Sequence, residues 1–293
     1  MSRIISKEKF DEIIKRQIVE KYGETQCRWN ENYDKYYNKD VFTLFTKEMQ
    51  KNFPSAYQEY GAGKGGELNQ KKVNDHIYPP KMASVASSSR FCYLALRYGA
   101  KMLGLTDLPR FEFPCPIAGI NQGTPPQLDA CFPVDSTYIE VKCHEIFDHH
   151  RIKMKEKYWN RIYSENNDFG FEPRIANDDF ETFMIPLSEF DIEKEYSMFD
   201  IKQLLCHLMG ISCDQNESRT LVYLFFMPMC SDEQDTLAVN NVFRDLSAEI
   251  KLIFNSKPIV NFCRKHNIKL MAIAEHNNVM DSIDKCQIID LMQ

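Results

Sequence analysis

The chain has 293 residues, and 43% of them are hydrophobic, which excludes a globally disordered protein because this content can bury a substantial core. Its formal net charge is −6, and this acidic balance counts mildly against a non-specific polyanion binder, which is usually basic. The longest apolar run, Leu221–Met229, is shorter than the ~20 residues that a membrane-spanning helix needs, and no apolar signal segment follows the N-terminal charges. We therefore expect a cytoplasmic protein with no membrane partner.

Ten cysteines are spread along the chain, and no two of them form a Cys-x-x-Cys pair. Zinc fingers and zinc ribbons need close pairs of ligands, and iron–sulfur sites need clustered cysteines. The spacing therefore predicts reduced, mostly buried thiols.

Residues 1–80 are predicted to form an N-terminal helical extension with a glycine-rich loop. Apolar residues recur at helical spacing in Ser6–Tyr22 and in Asp40–Gln50, so a helix is expected in each segment. The segment Tyr60–Glu67 holds four glycines and is expected to be irregular. It is not predicted to be a phosphate-binding P-loop, because Lys64 is followed by glycine rather than by serine or threonine.

Residues 81–293 are predicted to form an α/β core with a mixed sheet flanked by helices. A long helix, Met82–Leu103, is expected between Pro79-Pro80 and Gly104. Further elements are expected in this order: strands at Arg110–Cys115, Gln127–Phe132 and Thr137–Cys143, a helix at Phe199–Gly210, a strand at Thr220–Met227, helices at Asn240–Phe254 and Pro258–His266, and a strand at Lys269–Ala274. Residues 144–198 are interpreted as an insertion that carries a basic helix at 149–163.

The strongest chemical signal lies in two strands joined by a turn at 133–136. Asp129 belongs to the first strand, and Glu140 and Lys142 belong to the second. Because side chains alternate between the faces of a strand, Glu140 and Lys142 project from the same face. If the turn closes a hairpin, Asp129 lies beside Glu140. Two carboxylates can hold Mg²⁺, and a neighbouring lysine can orient or deprotonate a water, which is the chemistry of phosphodiester hydrolysis.

An acid followed two residues later by lysine is a common pattern, and the chain has two further copies, Asp200-Ile-Lys202 and Glu249-Ile-Lys251. Both fall in segments of helical periodicity, where residues i and i+2 point about 200° apart, so neither is expected to form a joint site. The alternative for Glu140 and Lys142 is a surface salt bridge. Their position on a strand, shortly after a strand that carries an acid, favours the functional interpretation.

Asp129 followed by Glu140-Val-Lys142, in an order of helix, three strands, helix and strand, resembles the PD-(D/E)XK nuclease superfamily and its restriction-endonuclease-like fold. The resemblance covers residues 82–227. It implies that Asp129 and Glu140 hold Mg²⁺ or Mn²⁺, that Lys142 is catalytic, and that Gln203 is a further catalytic residue or a phosphate contact. It also implies an endonuclease acting on DNA, of restriction or phage-defence type. The alternative is a non-catalytic nucleic-acid-binding protein with the same fold.

The sequence departs from this family on the first core helix. Many members carry a glutamate there as an additional metal ligand, whereas Met82–Leu103 contains no acid. Its polar residues, among them Ser88 and Arg90, are better suited to phosphate than to a cation. Glu67 could substitute for the missing glutamate if the helix begins earlier.

Two local basic stretches on this acidic chain are compatible with a DNA groove. One spans residues 64–101 with seven lysines or arginines, and the other spans residues 151–161 with five. The alternative for each is a solvated helix face. Nucleic-acid contacts are predicted at Ser88, Arg90, Lys153, Lys157 and Arg161. A homodimer is compatible with the sequence.

Histidines and acids also follow the Glu140 strand, at His144, Asp148, His149 and His150. They are interpreted as a solvated loop rather than as a transition-metal site. His144 or Glu145 could still assist the nearby carboxylates.

Overall fold

The computed structural model describes residues 5–63, 66–115, 126–147, 198–212, 217–277 and 287–292. Its helices are α1 (Lys7–Tyr22), α2 (Lys39–Asn52), α3 (Pro54–Ala62), α4 (Ser88–Leu96), α5 (Ile201–Ser212), α6 (Glu233–Phe254) and α7 (Lys257–Lys265). Its strands are β1 (Lys71–Val73), β2 (His76–Tyr78), β3 (Arg110–Pro114), β4 (Gln127–Phe132), β5 (Thr137–Lys142), β6 (Arg219–Pro228), β7 (Ile268–Asn277) and β8 (Gln287–Asp290). The fold is mixed α/β, as the order of elements predicts.

The N-terminal region contains the two expected helices and a third that was not expected. α1 and α2 begin after Ser6 and Asn38, whose side chains accept hydrogen bonds from backbone amides of the first turn, at 3.2 and 2.8 Å. α3 starts at Pro54, because the fixed φ of proline suits the first helical turn. It continues through Gly61, so the prediction that Tyr60–Glu67 is irregular throughout is wrong for its first residues.

The first core helix is shorter than predicted. α4 begins at Ser88, where the Ser87 hydroxyl accepts a hydrogen bond from the Arg90 backbone amide, and it ends before Gly99, which has a φ of 83°. The segment Lys81–Ala83 is instead a separate 3-10 turn. A capping serine starts the helix late and a glycine with positive φ ends it early, so Met82–Leu103 is not one helix.

The main sheet has six strands in the order β3-β4-β5-β6-β7-β8. β3, β4 and β5 are antiparallel neighbours, β5, β6 and β7 are parallel neighbours, and β8 is antiparallel to β7. The antiparallel pairing of β4 with β5, with β6 in the same sheet, confirms the predicted hairpin. The short edge strand β8 and the separate β1–β2 hairpin were not predicted.

Helices cover both faces of the main sheet. Phe91 of α4 contacts Phe226 of β6 with ring centroids 4.7 Å apart, while Tyr223 of β6 contacts Phe254 of α6 at 6.3 Å. Because residues 223 and 226 point to opposite faces of a strand, α4 and α6 lie on opposite sides of the sheet. N-terminal residues such as Phe10 belong to the same hydrophobic core.

The later helices follow the predicted pattern with shifted boundaries. α6 begins at Glu233 rather than at Asn240, because the Asp232 carboxylate accepts a hydrogen bond from the Asp235 backbone amide at 2.9 Å and caps the helix there. Seven of the eight cysteines that the structure describes are buried, as their spacing predicts.

Within the described ranges, no helix has the length and apolar character needed to cross a membrane.

Candidate active site

Three of the side chains singled out from the sequence meet in one hydrogen-bonded group. The Lys142 Nζ donates to Glu140 Oε1 at 2.7 Å and to Gln203 Oε1 at 2.6 Å. The Gln203 amide Nε2 donates to the same Glu140 oxygen at 2.7 Å. The group is enclosed, since Glu140 is only 4% exposed. The structure therefore brings Glu140, Lys142 and Gln203 together, and their contact is not a surface salt bridge.

Local structure explains why these three side chains converge. Glu140 and Lys142 lie two residues apart on β5, so they share one face of the strand. Gln203 lies in the first turn of α5, where its backbone amide donates to the Asp200 carboxylate at 2.9 Å. α5 connects β5 to the parallel strand β6, and a crossover helix of this kind packs onto the sheet that it joins.

Asp129 lies next to this group on β4. Its Oδ2 accepts a hydrogen bond from the Val141 backbone amide at 2.7 Å, which ties the side chain to β5 between Glu140 and Lys142. The last β4–β5 pair is Ala130 with Ile139, so one further step of the register places Asp129 opposite Glu140. Enclosure of the Asp129 carboxyl, and next the negative charge of Glu140, raise its pKa well above the usual value.

The second oxygen of Glu140, Oε2, is buried and makes no hydrogen bond within the part of the chain that the structure describes. We call it the open oxygen. His207 Nε2 of α5 lies 3.8 Å from it. A buried carboxylate oxygen normally has a partner, because removing it from water without one is costly. The open oxygen is therefore the atom of the site at which we most expect a ligand to bind.

The electrostatics of the site keep Lys142 protonated. Burial by itself lowers the pKa of this lysine, but the negative charges of Glu140, Glu145 and Asp129 outweigh burial, and the net pKa is raised. Lys142 is therefore an ammonium group that donates hydrogen bonds.

Two further acids lie near the site, and sequence reasoning missed one of them. Glu112 sits on β3 between two residues paired with β4, at the position opposite Asp129, and has a φ of 51°. Burial, followed by the charge of Glu67, raises the Glu112 pKa to about 7, with a smaller contribution from Glu140. Glu67 is buried and accepts a hydrogen bond from Lys81 Nζ at 3.2 Å. The acid inside the predicted strand Arg110–Cys115 was the available signal for Glu112.

The donor set fits a hard divalent cation only in part. Among the residues that the structure describes, no three acidic, histidine or cysteine side chains form a ready-made metal cluster. However, Glu140 has an oxygen without a hydrogen bond among those residues, Asp129 is its neighbour across the β4–β5 register, and carboxylate oxygens are the ligands that Mg²⁺ and Mn²⁺ prefer. Asp129 and Glu140 are therefore the residues that could hold such an ion.

Arg90 has a different role from the one predicted. Its side chain is 2% exposed, and its guanidinium donates to the backbone carbonyls of Met82, Ser84 and Val85 and lies over the Tyr37 ring at 4.5 Å. A guanidinium enclosed in this way organises the loop before α4 and is not available to phosphate. Ser88, at the start of α4, is partly exposed.

The other predicted nucleic-acid contacts, Lys153, Lys157 and Arg161, lie outside the described residues, as does the predicted basic helix at 149–163. His144 is described. Its Nδ1 lies 2.6 Å from the Asp11 carboxylate of α1, so this histidine joins the N-terminal region to the end of β5.

No protein-family model matches this chain, and comparisons with curated proteins and with solved structures also give no match. Its function is therefore inferred from the geometry of the site and from the sequence.

Proposed function

We propose that this chain is a nuclease that hydrolyses phosphodiester bonds in DNA with a divalent cation, Mg²⁺ or Mn²⁺, held by Asp129 and Glu140. The observation that carries the proposal is the arrangement around Glu140. One of its oxygens is held by Lys142 and Gln203, while the open oxygen is buried without a hydrogen bond among the described residues. The Asp129 carboxyl belongs to the neighbouring strand, across the register from Glu140. A structural carboxylate would be expected to have both oxygens satisfied.

The topology supports a restriction-endonuclease-like core. α4 precedes an antiparallel meander of β3, β4 and β5, and α5 then leads to β6, which is parallel to β5. This is the order of helix, three strands, helix and strand that the resemblance to PD-(D/E)XK nucleases implies. The two acids and the lysine lie on its second and third strands, as in that family.

Each residue of the site would have a distinct task. A bound cation supplies a Lewis acid and lowers the pKa of a water that it binds. Asp129 and Glu140 provide the hard oxygen ligands. Gln203 fixes one Glu140 oxygen and the Lys142 ammonium at the same time, which restricts the rotamers of both side chains.

Lys142 would orient the attacking water or stabilise charge on the phosphate as an ammonium group. The carboxylates raise its pKa, which favours the protonated, hydrogen-bond-donating form over a general base. Preorganised donors of this kind stabilise charge that develops in a transition state.

Supercoiled plasmid DNA tests the proposal. We expect the protein to nick or linearise the plasmid with Mg²⁺ or Mn²⁺ and to leave it intact in EDTA. Asp129→Ala should abolish both the cleavage and the binding of Mn²⁺ measured by calorimetry. Wild-type protein that binds Mn²⁺ and DNA but never cuts would overturn the proposal in favour of a non-catalytic nucleic-acid-binding protein.

A further inference from the structure

His207 is a polar side chain in an unusually enclosed position. It lies on α5, one turn after Gln203, and is 0% exposed. Its Nε2 lies 3.2 Å from the Gln127 backbone carbonyl, and its Nδ1 lies 3.1 Å from the Tyr223 hydroxyl. His207 therefore joins three elements, α5, β4 and β6, at a point directly behind Glu140.

The partners of His207 determine where its proton lies. The Gln127 carbonyl can only accept a hydrogen bond, so the Nε2 of His207 carries the hydrogen. In a neutral imidazole Nδ1 is then the acceptor, and the Tyr223 hydroxyl is its donor. The neutral form agrees with the position of the ring, because full enclosure disfavours a charged imidazolium.

We infer that His207, held in its Nε2–H tautomer by the Gln127 carbonyl, is a positioning residue that sets the relative placement of Asp129 and Glu140. This inference rests on the proposed function. Through Gln127, His207 fixes the beginning of β4 two residues before Asp129. At the same time its ring fills the space behind the open oxygen of Glu140, with Nε2 at 3.8 Å from that oxygen.

The hydrogen bond to Gln127 has a second consequence for Glu140. The only N–H of the neutral ring is directed to a backbone carbonyl, and its 3.8 Å distance from the open oxygen is too long for a hydrogen bond. The ring therefore supports Glu140 without occupying the lone pairs that a cation would need. The opposite tautomer would leave the Gln127 carbonyl without a donor on this ring, because a bare Nε2 cannot donate a hydrogen bond.

The first experiment measures the tautomer in the metal-free protein. Long-range ¹H–¹⁵N NMR of the histidine rings should show His207 with a protonated Nε2 and a bare Nδ1. In Tyr223→Phe, which removes only the hydroxyl, the bare Nδ1 should lose its hydrogen bond and its ¹⁵N resonance should shift downfield. A protonated Nδ1 in the wild type would overturn the inference, whatever the protein does to DNA.

The second experiment separates positioning from simple packing. His207→Leu fills the space but removes the ring N–H, whereas His207→Gln can return an N–H near the position of Nε2. Residues that orient ligands typically change metal affinity by about 10–100-fold when replaced, so His207→Leu should weaken Mn²⁺ binding by this factor and His207→Gln should restore part of the loss. Leu208→Val, at a fully buried neighbour on α5, is the packing control and should leave Mn²⁺ affinity unchanged.

The outcomes distinguish this inference from the proposed function. Wild-type protein that binds Mn²⁺ and cuts DNA, together with a His207→Leu variant of equal Mn²⁺ affinity, would overturn the inference and leave the nuclease proposal intact. A loss of Mn²⁺ affinity in Leu208→Val as large as that in His207→Leu would also overturn it, since packing alone would then explain the effect. Wild-type protein that never binds Mn²⁺ would overturn the nuclease proposal and this positioning role, which depends on it.

Discussion

The same pattern of glutamate, aliphatic residue and lysine occurs on β5 as Glu140-Val-Lys142 and on α6 as Glu249-Ile-Lys251, with very different results. Both glutamates are buried, at 4% and 8% exposure. On β5, Glu140 and Lys142 share a face and their side chains meet at 2.7 Å. On α6, Glu249 Oε1 instead accepts hydrogen bonds from the backbone amides of Met198 and Phe199, at 2.9 and 2.7 Å.

This comparison separates a structural carboxylate from a candidate functional one. Glu249 accepts backbone hydrogen bonds and so secures the chain that enters α5. Glu140 accepts from two side chains on one oxygen, and its buried open oxygen has no hydrogen bond among the described residues. The period of the secondary structure, and not the three-residue pattern, decides which kind of carboxylate results.

The largest expected effect is a loss of DNA cleavage when Lys142 of β5 is replaced, with Lys251 of α6 as the comparison. Lys142→Ala should keep the fold and DNA binding but lose cleavage by roughly 10²–10³-fold, the range for removing one preorganised donor that stabilises developing charge. Lys251→Ala on α6 is the matched control and should cut plasmid at the wild-type rate. If Lys142→Ala unfolds at lower temperature without a selective loss of rate, the lysine is only a structural partner of the acids.

Substitutions in the basic segment at 151–161 test whether its side chains bind DNA phosphates. Replacing Lys153, Lys157 and Arg161 together with alanine should weaken DNA binding across sequences. It should also reduce the slope of log Kobs against log salt concentration by about 0.9 for each lost phosphate contact. A fluorescence-anisotropy titration at several salt concentrations measures this slope, and an unchanged slope would assign these side chains to solvent.

The structural role of Glu249 predicts that replacing this residue lowers the stability of the protein. Glu249→Ala removes the acceptor of two backbone amides, and an unsatisfied buried donor costs about 1–3 kcal/mol. Urea denaturation should therefore show a lower free energy of unfolding for Glu249→Ala. A free energy equal to that of the wild type would mean that the two hydrogen bonds contribute nothing and that Glu249 is not the structural member of the pair.

A smaller effect, an increase in stability, is expected when Asp129 is replaced. Its pKa in the folded protein is raised by enclosure and by Glu140, so the folded state binds the proton more tightly than the unfolded state. The contribution of this carboxyl to stability is therefore lost as pH rises above the ordinary aspartate pKa of about 3.9. Without divalent cations, Asp129→Asn should raise Tm at neutral pH by a few degrees, since about 1 kcal/mol corresponds to roughly 2–4 °C.

The pH dependence of this gain provides the control for Asp129→Asn. The difference in Tm between variant and wild type should shrink toward zero at acid pH, where Asp129 is protonated in both the folded and the unfolded chain. A gain that is the same at every pH would have to come from another cause, and it would contradict the electrostatic explanation.

Periodic, local features of the site could be predicted from the sequence. The alternation along β5 gave the shared face of Glu140 and Lys142. The turn between β4 and β5 predicted their antiparallel pairing. These relations depend only on neighbours in the chain, which is why they were visible before the structure.

Features that depend on distant contacts could not be predicted. Glu112 comes opposite Asp129 through the register of β3 with β4, two strands that residues 115–126 separate in the sequence. Arg90 was placed on a phosphate-binding face, but three carbonyls of the preceding loop enclose it. The length of α4 was overestimated because apolar residues also lie before its capping residue, Ser87, and after Gly99, whose φ is positive.

Binding of Mn²⁺, followed by electron paramagnetic resonance in the absence of DNA, shows whether Glu140 is a metal ligand. We expect a saturable site in the wild-type protein that is lost in Glu140→Gln and retained in Glu249→Gln. The first substitution removes the charge at the open oxygen, while the second changes a carboxylate that holds backbone amides. Equal binding by Glu140→Gln and wild type, or no binding by the wild type, would contradict this expectation.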